Sequence, residues 1–232
     1  MANDYTNKVL KFPLPNKIFH NVNAVTWYIL LITGLIAYFK LASPQTMALM
    51  MKIHIYTAVI FTLNFIAFVF ITPHRFYMML DRLFTWDRDT FAWFKNFGGY
   101  PRMLGIPFGP EEVAPQGKYN AGQKLSYPMF VFFVAILIVT GWGLFLFKHA
   151  LGKGLFTVMF YVHVWGSILV SAMATFGHVP LALIHPDDVK AMFGFGPGTV
   201  PIEVAAHHNP KWVENEIVEI DIPEDIPEGH HH

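Results

Sequence analysis

LFTVMFYVHVWGSILVSAMATFGHV, residues 155–179, is apolar throughout except for scattered hydroxyls and two histidines, His163 and His178. It carries no Asp, Glu, Lys or Arg. A helix needs about 20 predominantly apolar residues to cross a bilayer, so this stretch reads as a membrane span. Working outward, residues 125–147, 47–71 and 18–41 have the same character, and Pro44, Pro73, Gly152 and Pro180 punctuate the four. The whole chain agrees: of 232 residues, 54% are hydrophobic and only 14% charged, with mean hydropathy +0.40. A soluble domain carries charge at about a quarter of its positions. Lys plus Arg equal Asp plus Glu at 16 each, which argues against a nucleic-acid partner. The chain has no Cys, so disulfides, cysteine-ligated iron–sulfur clusters, thiolate catalysis and CxxCH haem attachment are excluded.

The expected fold is all-α, a four-transmembrane-helix bundle. The first span has the length of an uncleaved signal anchor. Connections one-to-two and three-to-four are short, so those helices run antiparallel. Connection two-to-three, about residues 72–124, carries Arg75, Arg82, Arg88, Lys95, Arg102, Lys118 and Lys124, and the N-terminal segment adds Lys8, Lys11 and Lys17. The positive-inside rule then sets both termini and the long loop in the cytoplasm, with the opposite orientation as the alternative. The expected division is a cytoplasmic segment 1–17, a membrane domain 18–184 and a cytoplasmic tail 185–232. In the long loop, residues 74–84 space apolar positions as an amphipathic helix does, either lying in the interface or packed on a partner protein. Glycines and prolines between Gly98 and Pro115 predict an irregular connector. Asn209-Pro210 reads as the N-cap and first residue of a short helix, Pro210–Glu216. Residues 221–228 are acidic and proline-rich, the composition of a disordered tail. His230, His231 and His232 read as the remnant of a purification tag and are set aside.

Four histidines, His20, His54, His163 and His178, fall inside the spans. Ionisable groups there are costly and therefore mark functional candidates; taken singly, each also fits an interfacial or helix-bonded His. Their depths match in pairs: His20 and His178 near the cytoplasmic ends, His54 and His163 near the outer ends. His163 and His178 are 15 residues apart, a rise of about 22 Å and an azimuth difference of about 60°. One helix therefore contributes to both pairs, as two bis-histidine haems stacked across a bilayer require. Gly34, Gly141, Gly143, Gly166, Ser167 and Ala174 leave room either for a macrocycle or for ordinary helix packing. His149, His74, His185, His207 and His208 read as interfacial or surface residues, and His207-His208 is a weak metal signal.

Residues 118–124, Lys-Tyr-Asn-Ala-Gly-Gln-Lys, are more specific. With the histidine-bearing spans and the tail residues 208–212, His-Asn-Pro-Lys-Trp, the chain from His20 to Trp212 resembles the cytochrome b (gamma) subunit of respiratory formate dehydrogenases. Thiosulfate reductase and nickel–iron hydrogenase membrane subunits share the layout. The resemblance implies two haems b, with His20 and His178 on the cytoplasmic haem and His54 and His163 on the outer one. It implies a menaquinone site at Asn120, Gly122, Gln123 and His178. The helix-four ligand spacing here is one residue longer than in the family pattern. An extra residue swings a helical position by about 100°, to be absorbed either by a local bulge or by an altered ring angle. Independently of the resemblance, Asn120 and Gln123 have the spacing of a capping box, and Lys118 and Lys124 that of headgroup anchors.

The function implied is an electron-transfer subunit in the bacterial inner membrane. An outer-face iron–sulfur subunit and a molybdenum- or tungsten-containing catalytic subunit would supply electrons, and menaquinone would receive them on the cytoplasmic side. This chain would not itself touch formate. The alternatives are the equivalent haem and quinone subunit of a thiosulfate or polysulfide reductase or a hydrogenase, and a proton transporter with a His relay.

Overall fold

The computed structural model describes residues 7–217; the expectations for 221–228 and for the terminal histidines lie outside the described residues. Four long apolar helices are present: α1 (Leu14–Tyr38), α2 (Pro44–Ile71), a third over Ala121–Phe147 and a fourth over Lys153–Leu183. They form a four-helix membrane bundle. Each begins a few residues before the apolar run does, because a first helical turn tolerates polar and proline residues. Pro15 and Pro44 sit in the opening turns of α1 and α2, and the Ser43 hydroxyl accepts from Thr46 N at 3.2 Å.

Between α2 and the third span lie α3 (Pro73–Phe84), α4 (Arg88–Ala92), two 3₁₀ turns (Trp93–Lys95 and Phe97–Gly99) and α5 (Tyr100–Met103). The amphipathic helix expected at 74–84 is therefore present as α3; it buries Leu83 and packs against the third span, α6 (Ala121–Phe147). The fourth span opens as α7 (Lys153–Met173), widens into a π-helical turn at Ala174–His178 and closes as α8 (Val179–Leu183). Pro180 does not end this helix as its sequence position suggested. It stands in the first turn of α8, and the wide turn before it accommodates the missing N–H and the proline ring.

After α8 come α9 (Pro186–Phe193), a strand Thr199–Pro201, α10 (Ile202–His208) and α11 (Pro210–Glu216). That strand, β2, pairs antiparallel with β1 (Lys8–Leu10), Lys8 opposite Pro201 and Leu10 opposite Thr199. Around this pair Ala191, Val200, Ala205 and Trp212 are buried together, with Val9 and Phe12 packed against them. The N-terminal segment and the tail, expected as separate pieces, thus share a small core. It caps the end of the bundle where α1 and α6 start and α2 and α8 finish. Lys11 and Lys17, counted from the sequence among the basic residues of the N-terminal segment, are buried in this cap. Lys11 Nζ donates to Asp188 Oδ2 (2.8 Å) and Asn209 Oδ1 (3.0 Å), and Lys17 Nζ to the carbonyls of Gly194 (2.7 Å) and Gly196 (2.6 Å). Helix α11 has the expected bounds, but the Asn209 side chain does not cap it. Its amide instead donates to Gly117 O at 2.7 Å, tying the tail to the loop that precedes α6.

Within the membrane, α1 packs along α2 and α6 along α7, while contact between these two hairpins runs mainly through α1 and α7. Polar side chains mark that seam. Trp27 Nε1 donates to Ser171 Oγ at 3.0 Å, and the Tyr28 hydroxyl lies 2.9 Å from that of Thr175.

Candidate functional site

Two histidine pairs face each other inside the bundle. His54 on α2 and His163 on α7 have ring centres 6.3 Å apart; so do His20 on α1 and His178 in the π turn. His54 is ten residues into α2, counted from Pro44, and His163 ten residues into α7, counted from Lys153. Both therefore lie about 15 Å from the end of the bundle where α2 and α7 start. The structure brings together the histidines that the sequence pairs, His54 with His163 and His20 with His178. The π turn at Ala174–His178 falls in the His163–His178 segment where a bulge was one expectation, and His178 in it faces His20.

The hydrogen bonds around the outer pair decide which ring nitrogen is available. The Thr33 hydroxyl donates its proton to Ile29 O at 2.7 Å, so at 3.0 Å from His54 Nδ1 it must accept. The Thr140 hydroxyl donates to Ile136 O at 2.8 Å and stands 3.1 Å from His163 Nδ1, which also reaches Leu137 O at 3.1 Å. Both histidines therefore carry their proton on Nδ1 and leave the Nε2 lone pair to a ligand, the arrangement metal-binding histidines adopt. His20 Nδ1 is 3.3 Å from Asn21 Oδ1, whose own amide donates to Met192 O at 3.1 Å. The Asn21 oxygen thus faces His20, with the same consequence. No hydrogen bond is formed by the His178 ring among the described residues; Phe130 lies against it at 6.4 Å.

The spacing fits one metal per pair. An imidazole nitrogen binds a first-row metal at about 2.0 Å, with the ring centre roughly 1.2 Å behind it, so two opposed rings stand about 6.4 Å apart.

Glycines set the rings in place. A Cβ on Gly141 would come 2.8 Å from His163 Cε1, and one on Gly34 would come 3.3 Å from His54 Cε1. These two glycines make room for the imidazoles, a closer role than the macrocycle clearance considered from the sequence. Thr33 and Thr140 were missed. The signal was present: Thr-Gly occurs twice in the chain, at 33–34 and 140–141, once in each helix that faces a histidine of the outer pair.

The 118–124 run forms the start of α6. Asn120 Oδ1 accepts from Gln123 N at 2.9 Å and Gln123 Oε1 accepts from Asn120 N at 3.0 Å, a complete capping box. Gln123 Nε2 also lies 3.2 Å from the Tyr127 hydroxyl. Gln123, Tyr127 and Phe130 share one face of α6 at i, i+4 and i+7, and Phe130 ends that column against His178. This face connects the loop residues to the His20/His178 pair. Where Gly122 would carry a Cβ, the Trp93 ring stands 2.9 Å away, so a buried tryptophan occupies the side expected to admit a ligand. Lys124, expected as a headgroup anchor, donates instead to Thr85 O at 2.7 Å and Thr90 Oγ1 at 3.1 Å. Gln116 and Asn209 hold the loop from behind: Gln116 Oε1 accepts from Ala121 N at 3.0 Å. The two stretches that carried the resemblance, 118–124 and 208–212, are thus adjoining parts of one structure.

The remaining histidines lie outside this arrangement. His74 and His149 are exposed. His185 Nε2 is 3.1 Å from the Tyr100 hydroxyl, and its ring is 4.6 Å from that of His208. Burial pushes the pKa of both His185 and His208 below the usual value. Among the described residues no cluster of three or more His and acidic side chains has the form of a metal site, and His207-His208 does not make one.

Paired histidines carried by the helices of a membrane bundle, with Nε2 left free on His20, His54 and His163, are the arrangement a membrane cytochrome needs. Residues 11–195 match the family described as prokaryotic cytochrome b561, and the chain belongs to that family. It is accordingly a multi-pass membrane protein of b-type haem and electron transfer. Among curated proteins none matches the chain.

Proposed function

We propose that the chain is the di-haem membrane subunit of a respiratory formate dehydrogenase in the bacterial inner membrane. In this reading an iron–sulfur partner at the outer face supplies electrons and menaquinone accepts them on the cytoplasmic side. The observation that carries the two-haem reading is the pair of His–His separations, 6.3 Å in each case, at two depths of one bundle. His54 and His163 would hold one haem, and His20 and His178 the other. When bound, the haems supply one-electron redox carriers at both depths.

The chain's own contribution is orientation and access. Thr33 and Thr140 fix the tautomers of the outer ligands. The apolar bundle keeps water from the rings. Asn120 and Gln123 offer amide groups able to donate to a quinone carbonyl and accept from a quinol hydroxyl. The Tyr127–Phe130 face leads from them to His178. A proton-relay transporter has no use for two rings spaced to sandwich a metal, which favours the haem reading. The formate partner rests on the 118–124 and 208–212 resemblance together with the absence of cysteine. The lack of cysteine requires that any iron–sulfur cluster belong to another subunit.

The test is a reduced-minus-oxidised spectrum and haem count on the purified chain, followed by identification of co-purifying subunits. Two b haems per chain and a molybdenum or tungsten partner are expected. One haem or none overturns the di-haem reading, and a sulfur-compound reductase or hydrogenase partner overturns the formate assignment.

A further inference from the structure

On the cap, away from both histidine pairs, lies a cleft of about 410 Å³ whose walls include Lys8, Arg75, Arg82, Lys118, Trp212 and Glu216. It stands at the end of the bundle where α1 and α6 start. Lys118 is three residues before α6, Arg75 is in the first turn of α3, and Pro13, also in its wall, immediately precedes α1. Four cations thus line one cleft against a single acid. Glu216 is already paired with Arg82. Among the described residues no carboxylate lies within ion-pair reach of Lys8, Arg75 or Lys118.

Lys118 is the clearest case. Its ammonium stands 4.8 Å from the centre of the Trp212 ring, in a partly buried position with only a π face to receive it. Burial first, then the positive field of Arg82, Lys11 and Arg75, holds its pKa down to about 8 against the opposing pull of Glu216. Four like charges gathered in a cleft with one described carboxylate among them are stabilised by a multivalent anion. A phosphate suits the geometry, because several donors can converge on its oxygens.

We propose that this cleft binds a phosphate group, carried by an anionic phospholipid headgroup or free in solution. The apolar rim, Val9, Leu10 and Pro13, and the level of the cleft at the membrane surface suit the lipid source. The site is independent of haem and quinone binding.

The experiment uses the full-length protein in detergent, with native mass spectrometry as the readout. Phosphatidylglycerol, phosphatidylcholine and inorganic phosphate are the probes. One phosphatidylglycerol per chain, preferred over phosphatidylcholine and weakened about tenfold or more in Arg75→Gln/Lys118→Gln but not in Lys52→Gln, supports the lipid source. Binding of inorganic phosphate alone, with the same dependence, supports the free anion. A photoactivatable phosphatidylglycerol that crosslinks the Trp212 peptide of the unmutated chain supports the site without relying on the variants. No binding of either probe, or binding indifferent to Arg75 and Lys118, overturns the proposal. So does binding that emerges only in a full-length variant with Glu219, Asp221, Glu224 and Asp225 neutralised, for then the chain's own acidic tail is the occupant.

Discussion

The Thr33 hydroxyl on α1 receives the Nδ1–H of His54 on α2 at 3.0 Å, and sends its own proton to Ile29 O. That single bond selects the tautomer of a histidine on a different helix. Removing it in Thr33→Val leaves His54 free to protonate Nε2 or to rotate. Haem affinity at the outer pair is expected to fall about 10- to 100-fold, the usual cost of losing a partner that orients a ligand. Haem titration of the apoprotein measures it; an unchanged affinity would count against the orienting role.

His54→Ala and His163→Ala each remove one ring of the outer pair, whose centres are 6.3 Å apart. Under the proposed function either variant is expected to retain one haem per chain, and the two should retain the same one by spectrum and midpoint potential. If His54→Ala and His163→Ala lose different haems, the pairing is wrong.

Gly141→Ala would press a methyl carbon to 2.8 Å from His163 Cε1. Overpacking of this kind costs about 1–3 kcal/mol, here through displacement of the ring. The expected results are a lowered haem occupancy and a lowered melting temperature. Gly154→Ala, where nothing lies within 4 Å, is the matched control and is expected to change neither.

Asn120→Ala and Gln123→Ala each open the capping box of α6. A lost cap costs about 1 kcal/mol, so both variants should fold with their haems in place. Under the proposed function they slow the oxidation of the reduced haems by a menaquinone analogue. Stopped-flow kinetics at matched haem content provide the check, and unaltered rates would argue against a quinone role for these residues.

Lys118 gives stability a pH dependence of known sign. In the folded chain its pKa is about 8, because of burial and neighbouring cations, whereas an unfolded lysine keeps its proton until about 10.4. Between those values the unfolded chain holds more protons, so this residue's contribution to stability rises with pH. Melting of the full-length protein at pH 7.5 and 9.5, compared with Lys118→Met, isolates the effect. The unmutated chain should gain relative to the variant at the higher pH.

The bundle was readable because membrane spans are set by length and hydropathy, which are local properties. Matched depth of the histidines was readable for a similar reason: helical rise is constant, so residue counts become distances. Helix starts were misjudged by a few residues since Pro44, Gln45 and Thr46 are polar or proline yet fit a first turn. Pro180 was misjudged because the π turn that accommodates it depends on how the helix meets its neighbours.

The α3 helix and the bounds of α11 followed from local pattern, but the Asn209 role did not. A capping signal states only that a side chain is available; here Gly117 O and Lys11 compete for it and win. The cap core of Ala191, Val200, Ala205 and Trp212 with Val9 joins residues up to about two hundred positions apart, and no periodicity announces such contacts.

Sequence by itself therefore determined the class of protein: four spans, no cysteine, and histidines in pairs at two depths. Those features depend on composition and on the fixed rise of a helix. Only the tertiary structure decided which ring nitrogen each outer histidine offers, that Gly34 and Gly141 serve the imidazoles, and that four cations converge on one cleft. Each depends on side chains from different helices coming within hydrogen-bond or van der Waals reach, and separations of a few ångströms across helices are not encoded in spacing along one chain.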